Sequence, residues 1–439
     1  MSKTYRYLLL FVASICCIPT GHTQTWEAFN TQNSNIISNT ILALATDKSN
    51  NLWVGTNIGP CRFKGKTWTD VTPEHAKLKN QYINCITVDN DGKLWFGTDD
   101  FGPIMYDGNK WTDFPKETHQ FNMKLIHSIA IDVNDVKWIS VTLNGLVRYD
   151  GFDWEKYTPN DSKLTSDFIL CTAIDRANRK WIGTNAGLCI YNGRSWTVLS
   201  KRNTSIPSDI IPAIVIDHDN IKWVGTIEGL CRFDGEKWTV YNTKNSPLPS
   251  NQINTLSLDN DGRLWIGTSK GVAVFDRVSR WDSFTSKNSP LPAEASILTL
   301  SASPLGTIWI GTDFYGLFSL SNYQFPAIET AKNNTPAESK TNQDSQPASS
   351  ESSTSTPKPS NGVLNVKVVP NLEMGYVVLQ FDGTENATVE FVNSDGKTMR
   401  TVNNYNSGNR IGIAKLPKGK YTLNITTPSA SKSLKFNLK

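Results

Sequence analysis

The sequence predicts an all-β protein: a seven-bladed β-propeller of four-stranded blades, followed by a small C-terminal β-sandwich. Three observations carry this. First, tryptophan recurs at fixed spacing. Trp26 and Trp53, Trp68 and Trp95, Trp111 and Trp138, Trp154 and Trp181, Trp196 and Trp223, and Trp238 and Trp265 are each 27 residues apart, and Trp281 and Trp309 are 28 apart. All 14 Trp of the 439-residue chain fall into these seven pairs, one per unit of about 42 residues, and fixed periods of that size mark propellers, solenoids or arrays. Second, each unit reads as four short strands joined by tight turns. In one copy Ile253-Asn254-Thr255-Leu256-Ser257-Leu258 alternates, Asp259-Asn260-Asp261-Gly262 turns, Leu264-Trp265-Ile266-Gly267-Thr268 and Gly271-Val272-Ala273-Val274-Phe275 follow, and Trp281-Asp282-Ser283-Phe284 closes. Four-stranded blades around a channel define a propeller. Third, the apolar period is two rather than 3.6, which excludes helical repeats.

The first segment, 1–23, reads as a signal peptide. Lys3 and Arg6 make a charged start, 8–18 an apolar run, and Pro19-Thr20-Gly21-His22-Thr23 a cleavage region. The run is short for a membrane span, which takes about 20 residues. A retained anchor helix is the alternative, and Ile15 before Cys16 disfavours lipidation. No other stretch is apolar for long enough to cross a membrane, so the mature chain is expected to lack a transmembrane segment.

Residues 24–326 hold the propeller. The phase of the repeat predicts its closure. Trp26 lies on what is elsewhere the outermost strand, before any inner strands, while the last unit supplies three strands and lacks a fourth. Thr25 to Phe29 should therefore complete the last blade and remove an exposed edge. The tryptophans, embedded in strands, are expected to pack blade against blade rather than to form a sugar-stacking platform. Cys85 and Cys171 share one repeat position, and Cys61, Cys189 and Cys231 another. They read as small buried hydrophobes too far apart for disulfides.

Residues 327–361 turn to Ser, Thr, Pro, Asn and Gln, including Ser349-Ser350-Glu351-Ser352-Ser353-Thr354-Ser355, the composition of a disordered linker. In 362–439 alternation returns, with strands expected at 363–369, 376–381, 388–392 and 421–425 and a turn at Asn393-Ser394-Asp395-Gly396.

Charge excludes some partners. Lys plus Arg number 44 against 40 Asp plus Glu, and formal net charge is +4. No basic stripe stands out, so nucleic acid is not an expected partner. Catalytic signatures are sparse. His75, His119, His127 and His218 sit at unrelated repeat positions without metal-ligand spacing. Turns such as Asp89-Asn90-Asp91-Gly92 lack the distal Glu of a calcium loop. No cofactor or metal is expected, and the reading is of a protein that is not an enzyme. Propeller hydrolases and lyases, whose acids come from several blades, remain the less favoured alternative.

Two resemblances add to this. Leu264-Trp265-Ile266-Gly267-Thr268 and Gly229-Leu230-Cys231-Arg232-Phe233-Asp234-Gly235 resemble the two-component-regulator propeller repeat, which forms the periplasmic sensor of hybrid histidine kinases in Bacteroidetes. That resemblance implies a ligand-binding propeller, with glycan fragments as the associated ligands. The third unit departs with Ile139-Ser140-Val141-Thr142, and the first with Pro60. The C-terminal part resembles the sorting domain of the type IX secretion system, through Val369-Pro370-Asn371, Ala387-Thr388-Val389-Glu390-Phe391 with Asp395-Gly396-Lys397, and Leu416-Pro417-Lys418-Gly419-Lys420-Tyr421. It implies that the type IX machinery is a partner and that the product is secreted or held on the cell surface, with the periplasm as the alternative.

A ligand site is expected on the face that carries the second-to-third strand turns. Those turns are one residue longer in units two, three and seven. They contain Asp99, Asp100 and Phe101, then Leu143 and Asn144, then Asp313, Phe314 and Tyr315. With Asn57 of the first unit they span four consecutive blades. Exposed aromatics beside short polar groups suit a sugar or a peptide, so a glycan or an envelope protein is the expected ligand. A structural or protein-interaction subunit of an envelope assembly is the alternative.

Overall fold

The computed structural model describes residues 24–114, 121–325 and, in the C-terminal part, 362–363, 366–371, 376–381, 387–405, 410–413 and 416–438. The expected signal peptide (1–23) and linker (327–361) lie outside the described residues.

Seven antiparallel four-stranded sheets follow one another along the chain. Blade 1 is built from Ile41–Thr46, Leu52–Thr56, Gly59–Lys64 and Thr67–Asp70, and blade 6 from Ile253–Leu258, Leu264–Thr268, Gly271–Phe275 and Trp281–Phe284. Blade 7 contains Ile297–Ala302, Ile308–Thr312 and Leu317–Ser321, and its fourth strand is Thr25–Phe29. That strand pairs antiparallel, Trp26 opposite Leu320 and Phe29 opposite Leu317, so the ring closes as its phase predicts.

The second-strand tryptophans fix blade to blade. Trp53, Trp181, Trp223 and Trp265 are among the largest fully buried side chains. Each plugs into the core of the following blade: Trp95 packs with Ile126, Ile139 and Val147, and Trp181 with Ile211, Val224 and Cys231. The fourth-strand tryptophans are half-buried, and in blades 1 to 6 they lie on the third-strand aromatic opposite them, as in Tyr149–Trp154 and Phe275–Trp281, both with centroids 4.1 Å apart.

Blades approach closely because the second strand carries glycine. A Cβ on Gly97 would stand 2.4 Å from Cys85 Sγ and 2.6 Å from Ile126 of the next blade. Blade 3 departs with Ser140, and the departure has a reason. Its hydroxyl lies 2.9 Å from that of Ser128 and 3.1 Å from that of Thr172 in blade 4, so the extra atom is hydrogen-bonded between blades. The five described cysteines are unpaired. Burial pushes the thiols of Cys61, Cys85, Cys171 and Cys231 up to about 12.

A second constant lies on the face of the first-to-second strand turns. In blades 1 to 6 an Asp six residues before the buried Trp accepts its indole N–H: Asp47, Asp89, Asp132, Asp175, Asp217 and Asp259, at 2.7–3.2 Å. The other carboxylate oxygen caps backbone N–H groups of the turn, as Asp259 does for Asp261 and Arg263. In three blades a buried Lys from the next blade adds to this. Lys137 stands 3.4 Å from Asp89, Lys180 3.1 Å from Asp132 and Lys222 3.9 Å from Asp175. The Asp-rich turns are thus hairpin turns whose first carboxylate also anchors the core.

The C-terminal part is a sandwich with its own core. A five-stranded sheet takes the order Gly362–Val363, Ala430–Leu438, Gly419–Thr426, Ala387–Asn393, Thr398–Tyr405. A three-stranded sheet takes the order Val366–Asn371, Tyr376–Phe381, Arg410–Gly412. Val377 and Leu379 of one pack with Val389, Phe391, Leu423 and Ile425 of the other. Pairing is antiparallel except for the two-residue strand, which runs parallel to Ala430–Leu438. Thr398–Tyr405, Arg410–Gly412 and Ala430–Leu438 are strands beyond those the sequence suggests.

Candidate functional site

The face opposite the Asp–Trp clamps is built from two kinds of loop: the second-to-third strand turns and the inlet loops that lead into each innermost strand. Backbone hydrogen bonds stitch most of these turns to an inlet. Asn80 N–H donates to Ile58 O (3.1 Å), Leu125 N–H to Asp99 O (2.8 Å), Asn185 N–H to Phe168 O (3.1 Å) and Gly316 N–H to Asn39 O (2.8 Å). The last residue of the second strand holds the turn from below. Thr98 and Thr312 are fully buried, and their hydroxyls donate to Gly102 O and Gly316 O while accepting from Phe101 N–H and Tyr315 N–H. Six innermost strands then bulge at their second residue, among them Asn84, His127 and Asn254, since pairing skips from Ile83 to Cys85, from Ile126 to Ser128 and from Ile253 to Thr255. Bulges re-aim side chains next to sites.

The predicted residues all sit on this face, in blades 7, 1, 2 and 3, but they divide in two by what they touch. The short polar groups are largely engaged. Asn57 accepts from the Ser38 hydroxyl (2.7 Å), Asp99 from Asn84 Nδ2 (2.6 Å), and Asp100 pairs with Lys124 at 3.1 Å. Asp313 accepts from its neighbour Phe314 N–H (3.0 Å) and from Ser296 N–H (3.3 Å). Asn144 is half-buried, and its N–H donates to Val141 O. The apolar groups are free: Phe314 is 70% exposed, Leu143 61%, Phe101 45% and Tyr315 37%. Lys77 Nζ lies 6.0 Å from the Phe101 ring centroid.

The inlet loops contribute residues that the turn lengths do not reveal. Tyr82, Leu125, Phe168 and Ile210 are exposed large hydrophobics, and Ile58 joins them from the blade 1 turn. The signal for four of them is in the sequence. The residue before the isoleucine that opens each innermost strand is apolar in blades 2 to 5, but Thr40, Gln252 and Ser296 in blades 1, 6 and 7. Blade 6 is polar on both counts, with Gln252 in the inlet and Ser269-Lys270 in the turn. The outcome is an apolar crescent running from blade 7 through blade 1 to blade 5, broken at blade 6. His127 lies at its inner margin. Partial desolvation by the neighbouring protein holds its imidazole below the ordinary value, against the pull of Asp99, although the side chain is exposed.

Among the described residues no group of three or more His, Cys, Asp or Glu is placed to hold a metal, and no helix is long and apolar enough to cross a membrane. The crescent can bury apolar surface and offer ring faces.

Fold and face together define a ring-closed β-propeller. Residues 35–57, 77–100 and 247–270 match the family model of the two component regulator propeller, and residues 357–439 that of the secretion system C-terminal sorting domain. The chain thus carries two component regulator propeller repeats and, after them, a secretion sorting domain.

Solved structures share the architecture. The extracellular domain of the hybrid two component system BT3049 from B. thetaiotaomicron is 18% identical, with a TM-score of 0.59 over 94% of this chain and 57% of that one. PorZ, an essential bacterial surface component of the type-IX secretion system of Porphyromonas gingivalis, is 15% identical, with a TM-score of 0.55 over 94% of this chain and 61% of that one. Virginiamycin B lyase from Staphylococcus aureus is 12% identical, with a TM-score of 0.54 over 68% of this chain and 99% of that one. At these identities the likeness is one of fold. The chain spans less than two thirds of the length of the first two. No curated protein matches it.

Proposed function

We propose that this protein is an exported, non-catalytic binding module that seats a glycan or an envelope protein on the apolar crescent. The observation that carries the reading is the density of exposed large hydrophobics on this face, nine side chains against Val133, Val278 and Leu305 in the turns of the other, because clustered exposed apolar groups mark interaction sites. Asn57, Asp99, Asp100, Phe101, Asn144, Asp313, Phe314 and Tyr315 contribute on this reading, with Tyr82 and Phe168 as further ring faces. The sorting domain would direct the chain through type IX secretion to the surface or the medium. Likeness to extracellular sensor domains and to a surface component of that system supports this placement.

The second reading is a protein-interaction subunit of an envelope assembly. Ile58, Leu125, Leu143 and Ile210 favour it, because aliphatic groups bury well in a protein interface and stack poorly on sugars. Titration of the full chain with purified surface polysaccharide and, separately, with outer-membrane vesicles stripped of polysaccharide distinguishes the two. Phe101→Ser with Phe314→Ser should abolish whichever binding is seen. Binding that survives this pair, or turnover of the ligand, would overturn the assignment. Mass-spectrometric determination of both termini in the native organism tests the route: a periplasmic product still ending at Lys439 would sink it.

A further inference from the structure

Blade 7 breaks the clamp that the other six blades share. Where they place Asp47, Asp89, Asp132, Asp175, Asp217 and Asp259, it has Ser303, six residues before Trp309. The serine oxygen caps only Thr307 N–H (3.1 Å). Two donors that a carboxylate satisfies in blade 6, the N–H two residues on and the indole N–H, have no hydrogen-bond partner here among the described residues. They are Leu305 N–H and Trp309 Nε1–H. Around them the blade is pared down. Directly opposite the buried Trp on the third strand stand Arg62, Met105, Arg148, Ile190, Arg232 and Val274 in blades 1 to 6, but Ser319 in blade 7. Where blade 6 has Arg263, blade 7 has Thr307.

These small residues open a cleft of about 960 Å³ between blades 7 and 1. Ser303, Leu305, Thr307, Trp309 and Ser319 line one wall, and Phe63 and Trp68 the other. Trp68 Nε1 is buried without a hydrogen-bond partner. Lys66 and Glu27 both line the cleft, so the fixed donors, rather than net charge, select what enters.

We propose that this seam is a second ligand site, distinct from the crescent, for a small carboxylate carried on an apolar or hydroxylated body. The carboxylate takes the place of the missing aspartate, accepting from Trp309 Nε1–H and Leu305 N–H. The body lies against Phe63 and Trp68. Six blades of the same chain show that this turn and this indole together hold a carboxylate; the seventh would take it from solution.

The test uses the full chain, with N-acetylphenylalanine and glucuronate as probes and their uncharged amides as controls, by calorimetry and by the indole N–H resonance of Trp309. At least one acid should bind and shift that resonance, with its amide at least about tenfold weaker. Which acid binds separates a peptide-like chain end from an acidic sugar. Ser303→Asp restores the internal carboxylate, so it should abolish binding and raise Tm by about 2–5 °C. Ser319→Met, which copies Met105, should abolish binding by filling the cleft. Amides that bind as well as the acids, a Ser303→Asp or Ser319→Met protein that binds like wild type, or no binding of either acid up to about 10 mM would each overturn the proposal.

Discussion

The two faces of the propeller obey different rules. On the clamp face one arrangement repeats: carboxylate, turn and buried indole at a six-residue spacing in blades 1 to 6. On the crescent face the loop scaffold repeats but its outward residues do not, running from Phe314 and Tyr315 through Ile58, Phe101 and Leu143 to Ile210 and stopping at the polar blade 6. Chemistry that must be the same in every blade is architecture. Chemistry that varies on a constant frame is where recognition can reside.

The comparison can be broken at several depths. The largest effect is expected from removing Thr25–Phe29. Blade 7 would then expose the edge of Leu317–Ser321, and cooperative thermal unfolding should be lost, or Tm fall steeply, by calorimetry. Next, Trp181→Ala leaves a hole between blades 4 and 5 and should cost about 3–5 kcal/mol in chemical denaturation.

A smaller effect concerns acid. Burial pushes the Asp217 carboxyl up, but hydrogen bonds from Trp223 and Arg277 outweigh it and hold the carboxyl below its ordinary value. Its stabilisation is therefore complete above the usual carboxylate range and fades as pH falls through the lower folded value. Asp217→Asn should lower Tm at pH 7 and flatten the fall of Tm between pH 5 and 3. An unchanged slope would mean that other carboxylates dominate. The smallest effect belongs to the other face. Phe314→Ser and Leu143→Ser should each change stability by no more than about 0.5 kcal/mol while weakening ligand capture. A large loss of stability would instead make the crescent part of the core.

Much of the fold is legible because its signals repeat. The 27-residue Trp spacing gives the blades, and the odd position of Trp26 gives the closure. The clamp was equally periodic but easy to miss. Its Asp looks like any turn residue, and only the structure shows the second oxygen reaching the indole. The C-terminal strands Thr398–Tyr405 and Ala430–Leu438 hid for another reason. The last carries Lys432 and Lys435 on its exposed side, yet Phe436 and Leu438 alternate into the core. Half of the crescent hid behind its neighbours. In pairs such as Tyr82-Ile83 and Phe168-Ile169 both residues are apolar, and hydropathy alone does not say which faces out.

Closure by the first strand also orders events in time. Trp26 leaves the ribosome almost three hundred residues before its partner Leu320, and joining ends so distant carries an entropic cost that grows only slowly with length. Six blades can form while that strand waits. A chain cut short anywhere before Ser321 keeps it waiting, with its backbone donors and acceptors open to proteases. The ring therefore certifies its own completeness: the earliest strand to be made is secured only when the last has arrived.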